Sequence, residues 1–132
     1  MYVPPNLITN HDLEKIMDTS DEWIKQRTGI EQRYWISMEG ATGSSDLGLE
    51  ASKMALANAG WTAEDLDFII FATLSPDIMF PGSGCLLQAK LGLNSTPDLD
   101  IRQQCSGFLY GLATADAYIK TGLAGKILLV GA

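Results

Sequence analysis

The residue with the clearest chemical potential is Cys105. It sits in the run Asp100-Ile101-Arg102-Gln103-Gln104-Cys105-Ser106-Gly107-Phe108-Leu109-Tyr110-Gly111-Leu112. The run passes from extended to helical character, which puts the thiol at a helix N-terminus. Free backbone N–H groups and the helix macrodipole favour negative charge there, drawing a thiol towards the nucleophilic thiolate. The same N–H groups can hold an oxyanion formed on an acyl carbonyl. The helix that follows is apolar nearly all round, through Phe108, Leu109, Leu112, Ala115 and Ile119, with the small residues Gly107, Gly111, Ala113 and Ala117 between them. Such a helix is expected to be buried, so its first cysteine should face a sheltered pocket. The competing reading is an inert buried cysteine, and the local pattern leaves both open.

Other chemistries find less support. The one histidine, His11, reads as a solvated residue in a helix's first turn and receives no catalytic role. Gly82-Ser83-Gly84 lacks the Gly-x-Ser-x-Gly spacing of a nucleophile elbow. No Gly-x-Gly-x-x-Gly follows a strand, which leaves a nicotinamide cofactor unsupported. There is no Cys and His cluster for zinc, and no metal is expected.

The elements that must position Cys105 are legible in outline. Thr9-Asn10 ahead of Asp12 to Met17 signals a short capped helix. Thr19-Ser20-Asp21-Glu22 fits a capping box closed by Thr19 and Glu22, opening a helix that carries Trp23, Ile24 and Arg27 and stops at Gly29. Glu31 to Ile36 is read as extended. Leu47, Ala51, Met54, Ala55 and Ala59 recur at helical spacing, with Gly60 as the stop. Phe68 to Ala72 is an unbroken apolar run that suits a strand buried on both faces. Pro81 is read as opening a helix through Leu86, Leu87 and Leu91, ended by Gly92. An extended segment from Asp98 to Gln103, a helix from about Ser106 to Lys120 and a strand from Lys126 to Val130 complete the order. Strands alternating with helices imply a mostly parallel sheet covered on both faces. The last strand has no helix after it, which reads as an incomplete fold.

Composition sets the outer limits. The 132 residues suffice for one domain with its own core, and 46% hydrophobic with 19% charged residues is a globular balance. Nine Lys and Arg against sixteen Asp and Glu give a net charge of -7, which argues against nucleic acid as the main partner. The longest apolar stretches fall far short of the roughly 20 residues of a membrane-spanning helix. The start, Met1-Tyr2-Val3-Pro4-Pro5, lacks the pattern of a secretory signal. Two cysteines, Cys85 and Cys105, are too few for a disulfide framework. A cytoplasmic location with reduced thiols is the expectation.

Four segments in order resemble one family. Asp100-Ile101 with Cys105-Ser106-Gly107-Phe108-Leu109-Tyr110-Gly111-Leu112 is similar to the nucleophile segment of beta-ketoacyl-acyl-carrier-protein synthase III. Asp18-Thr19-Ser20-Asp21-Glu22-Trp23-Ile24 with Arg27-Thr28-Gly29-Ile30 resembles its coenzyme A signature. Phe71-Ala72-Thr73 through Pro76-Asp77 to Phe80-Pro81 looks like its strand and acyl-pocket loop, and Lys126 to Ala132 like the strand after the nucleophile helix. The resemblance implies a thiolase-like fold, here its N-terminal half as a single domain over 1–132, incomplete at both ends. Tyr2-Val3-Pro4 would be the end of the family's first strand.

It further implies a decarboxylative Claisen condensation that initiates fatty acid biosynthesis. Cys105 would take an acyl group from acyl-coenzyme A, and a malonyl-acyl-carrier protein would then attack it. Thr19, Trp23 and Arg27 would contact the coenzyme A nucleotide, since indole stacks on adenine and guanidinium pairs with phosphate. Phe80 would reach the acyl pocket of the partner in a homodimer, and Cys85 would be structural. No cofactor is implied beyond acyl-coenzyme A as substrate. The family also uses a histidine and an asparagine from its second half, which these residues do not supply. Gln103-Gln104 stands where the commonest members carry small residues. Two alternatives therefore accompany the first: a secondary-metabolism or long-chain relative with a different primer, and a non-catalytic assembly module.

Overall fold

The computed structural model describes residues 1–36 and 42–132, which form two compact units. The smaller, Val3–Thr42, contains a strand β1 (Asn6–Thr9), a short helix α1 (Asn10–Glu14), a helix α2 (Asp21–Thr28) and a strand β2 (Gln32–Trp35). β1 and β2 pair antiparallel, with Asn6 opposite Trp35. The expected strand end at Tyr2–Pro4 has no regular structure, and the first strand is β1.

Thr9 caps α1 as expected, in a capping box with Asp12. The cap of α2 differs from the expectation. Ser20, not Thr19, accepts from the Trp23 N–H at 3.1 Å. With the cap one residue later, the third helical position is Trp23, which has no acceptor to complete a box. Gly29 ends the helix in the left-handed conformation (φ 71°). Asn10, almost fully buried, donates to Asp21 and to the Ile30 carbonyl, both at 2.8 Å, and accepts from Arg33 at 2.7 Å. That network fixes α2 within its unit.

The larger unit, Met1–Tyr2 with Gly43–Ala132, carries the sheet. Its elements are α3 (Ser44–Ala59), β3 (Phe68–Ala72), α4 (Ser83–Lys90), β4 (Asp98–Ile101), α5 (Gly107–Lys120) and β5 (Ile127–Gly131). The three strands are parallel in the order β4-β3-β5, with Ile69 opposite Asp98 and Phe68 opposite Ile127. Ile69, Ile70 and Phe71 of the central strand are fully buried, as the unbroken apolar run requires.

One face of the sheet holds the main core, in which Ile69, Phe71, Leu128 and Val130 meet Leu56 of α3 and Leu87 of α4. The other face receives α5. A Cβ at Gly111 would lie 2.6 Å from Leu129 and 3.4 Å from Ile70, so the helix approaches through its small residues. Helices thus cover both faces, as expected. Several boundaries moved, the end of β4 at Ile101 rather than Gln103 among them. α4 starts at Ser83 rather than Pro81, because Gly82 takes φ 129°, which no helical residue adopts. α5 is preceded by a 3-10 turn, Gln104–Ser106.

Candidate functional site

Cys105 occupies the middle of that 3-10 turn, between β4 and α5. Its predecessor Gln104 is the one non-glycine residue among those described with a positive φ, 36°. A left-handed residue is uncommon and carries strain for any L side chain. Here it turns the chain sharply at the thiol.

The thiol lines an open pocket of about 320 Å³ with Thr73 and Ser75, which follow β3, Gln103 and Gln104, which follow β4, and Ala132, which follows β5. The pocket therefore lies at the carboxyl ends of all three parallel strands, where open α/β sheets bind their ligands. A larger hollow of about 520 Å³ beside β5 is lined by Leu47, Ala51 and Val130. Its Ser52 hydroxyl is engaged by the Gly48 carbonyl, and it offers no thiol.

The expected shelter is not found. Cys105 is exposed, and so are Phe108, Leu109, Tyr110, Leu112 and Ile119 of α5, each about half or more. The physical reason is the packing of α5: Gly107, Gly111 and Ala115 are the buried positions. Small residues let the helix lie close to the sheet, and the large apolar side chains that encircle it find no cover among the described residues.

The wall of the pocket beyond β3 belongs to the loop from Thr73 to Gly82. Phe80 stands near its tip, 90% exposed, before a cis Phe80–Pro81 bond. Arg102 donates to the Met79 carbonyl at 2.7 Å, which ties the tip to the segment leading into Cys105. The second thiol, Cys85, lies 3.3 Å from an Asp98 carboxylate oxygen. Burial, and then the hydrogen bond to Asp98, push that thiol up, away from the reactive thiolate.

Trp23 and Arg27 belong to the smaller unit. They stand one turn apart on α2, both exposed, with the Arg27 guanidinium 4.7 Å from the centre of the indole. Thr19 is half-buried just before the cap. No group of three or more metal-ligating side chains occurs among the described residues, and none of their helices is long and apolar enough to cross a membrane.

A three-stranded parallel sheet flanked on both faces, with a cysteine at the turn into the helix on the second face, is part of the thiolase-like fold. Comparison with known proteins narrows this. Residues 99–132 match the family model of 3-oxoacyl-[acyl-carrier-protein] synthase III. A beta-ketoacyl-[acyl-carrier-protein] synthase III of Rhizobium rhizogenes is 51% identical over 130 residues, covering 98% of this chain and 40% of that protein. Its counterpart in Caldanaerobacter subterraneus is 50% identical over 131 residues, 99% of this chain and 39% of that protein. The crystal structure of 3-oxoacyl-[acyl-carrier-protein] synthase III from Aquifex aeolicus superposes with a TM-score of 0.92 at 46% identity, over 99% of this chain and 42% of that one. The chain is similar to these synthase III proteins along nearly its whole length, and it spans about two fifths of theirs.

Proposed function

We propose that this chain carries the acyl-accepting part of a synthase III condensing enzyme, with Cys105 as the nucleophile. The observation that carries the reading is the placement of an exposed thiol in a pocket formed by the ends of three parallel strands. The Cys105 thiolate attacks the carbonyl carbon of acyl-coenzyme A, forming a C–S bond and a tetrahedral oxyanion at the start of α5. Collapse expels the coenzyme A thiolate, which takes up a proton, and leaves an acyl thioester on Cys105. In the whole enzyme a malonyl-acyl-carrier protein then loses carbon dioxide, and its carbanion attacks that thioester to give 3-oxoacyl-acyl-carrier protein and free the thiolate; these residues alone, without the histidine and asparagine, stop at the acyl thioester.

Trp23 and Arg27 support the coenzyme A part of the reading. Their stacked, exposed pair offers an aromatic face to adenine and a guanidinium to phosphate. Thr19 lies four residues before Trp23, its hydroxyl left out of helix capping by Ser20. The reaction calls for no bound cofactor. A homodimer belongs to the same reading, supported by the exposed tip residues Met79 and Phe80. A cytoplasmic location fits the two free thiols.

The test is the intact mass of the protein after incubation with acetyl-coenzyme A and longer acyl donors. A single acyl adduct is expected on the wild type and none on Cys105→Ala. Trp23→Ala and Arg27→Ala should slow transfer from coenzyme A thioesters while sparing acyl-pantetheine, which lacks the nucleotide. An adduct that persists in Cys105→Ala, or a wild type inert to every donor, refutes the reading.

A further inference from the structure

The loop that walls the Cys105 pocket is fastened by one partly buried polar junction that the acyl-transfer chemistry does not use. α3 begins after Gly43, which has no side chain to cap the helix. The cap arrives from a distant part of the chain: an Asp77 carboxylate oxygen accepts from the Ser45 N–H at 2.9 Å, and the other accepts from the Ser45 hydroxyl at 2.9 Å. A Cβ at Gly43 would meet an Asp77 carboxylate oxygen at 1.8 Å, so the glycine is what admits it. The same carboxylate accepts from the Ser83 hydroxyl at 2.6 Å, and the Asp77 N–H donates back to that hydroxyl at 3.0 Å. Ser45 and Ser83 are fully buried, Ser45 as the second residue of α3 and Ser83 as the first of α4.

One carboxylate thus caps α3, where the macrodipole favours an anion, and holds the first side chain of α4, whose Gly84 N–H goes to Asp100 instead. Burial pushes the Asp77 carboxyl up, but the hydrogen bonds from Ser83 and Ser45 outweigh it and hold it below the usual carboxylate range. Lys90 adds a positive charge through the Ser45 hydroxyl at 2.7 Å. Two residues earlier the Ser75 carbonyl accepts from the Ser44 hydroxyl, and Ser75 lines the Cys105 pocket with Thr73 and Leu74. The wall residues and the clamp are therefore one short stretch of chain, held by consecutive serines of α3.

We propose that Asp77 is a positioning residue for acyl selection: it fixes the Thr73–Ser75 wall and thereby sets the size of group that reaches Cys105. The acyl part of this inference rests on the proposed function above; the steric part does not. Two ratios separate them, both read at Cys105 by peptide mapping so that Cys85 does not contribute. The first is alkylation by iodoacetamide against a bulky maleimide, and the second is transfer from acetyl- against octanoyl-coenzyme A.

In Asp77→Ala both ratios should move about tenfold from the wild type, the scale of one lost hydrogen-bonded anchor. Asp77→Asn keeps one acceptor oxygen and should fall between the two. A general loss of structure would instead change both reagents in parallel. Ratios within twofold of the wild type in a folded Asp77→Ala overturn the proposal. If that variant fails to fold, Ser83→Ala decides, because it deletes one bond to the carboxylate and little volume; unchanged ratios there overturn it equally. A shifted alkylation ratio in a protein that accepts no acyl group would sustain the positioning role and refute acyl transfer.

Discussion

Two glycines that look alike by distance should respond in opposite senses to alanine. A Cβ at Gly48 of α3 would lie 2.9 Å and 3.2 Å from atoms of the Phe71 ring and 3.2 Å from Val130. A Cβ at Gly111 of α5 would lie even closer to one atom, 2.6 Å from the Leu129 Cδ1. The neighbours differ in what they can do. Phe71 is fully buried and Val130 is 6% exposed, so ring and helix must separate by a substantial fraction of an ångström. Overpacking of a filled core costs about 1–3 kcal/mol. Replacing a mid-helix glycine with alanine returns roughly 0.5–1 kcal/mol in either helix. Gly48→Ala should therefore lose about 1 kcal/mol net. At Gly111 the obstacle is the far end of a half-buried leucine, which can rotate aside, so Gly111→Ala should fall within about 0.5 kcal/mol of the wild type or above it. Urea denaturation followed by far-UV circular dichroism reads the difference. With a slope of about 1–3 kcal/mol per molar, the midpoint of Gly48→Ala should drop by roughly 0.5 M. A Gly48→Ala protein as stable as the wild type, or a Gly111→Ala protein less stable than Gly48→Ala, would refute the packing argument.

Gln104 gives a second test. Its left-handed backbone costs an L residue about 1–2 kcal/mol, against roughly 0.5–1 kcal/mol of extra chain entropy lost by glycine, so Gln104→Gly should melt at or above the wild type and Gln104→Val below it. Asp65 gives a third. The hydrogen bonds from Lys126 and Thr62 hold its carboxyl at about 2, while an unfolded aspartate titrates near 3.9. A depressed folded value means stability present above about pH 4 and lost as pH falls towards 2. Thermal melts across that window should show a shallower decline in Asp65→Asn than in the wild type; equal slopes would refute the linkage.

What the sequence disclosed was whatever depends on neighbours along the chain. The apolar run Phe68 to Ala72, the stops at Gly29 and Gly60, and the passage from strand to helix at Cys105 are set by local preference, and the structure has each of them. Burial of α5 was not legible in the same way. Its composition is apolar all round, but which side touches the sheet depends on Gly107, Gly111 and Ala115 being small enough for close approach. Periodicity cannot assign cover to a face whose partner is another segment. The same limit explains the caps: Thr19 and Ser20 are equally good caps by type, and only the backbone decides between them.

The Asp77 junction shows why such a site escapes a reading along the chain. Gly43 is an acceptable cap that brings no side-chain acceptor, Asp77 looks like a loop residue, and Ser45 and Ser83 like ordinary first-turn serines 38 positions apart in the numbering. Each is unremarkable by local rules. Together they join a backbone donor at the start of α3 and the first side chain of α4 on one carboxylate. One signal was available: a helix that starts without a capping side chain must take its acceptor from elsewhere, because a buried N–H is seldom left unpaired. An uncapped helix start next to a candidate nucleophile's pocket is therefore a place to look for a residue that couples loop position to selectivity.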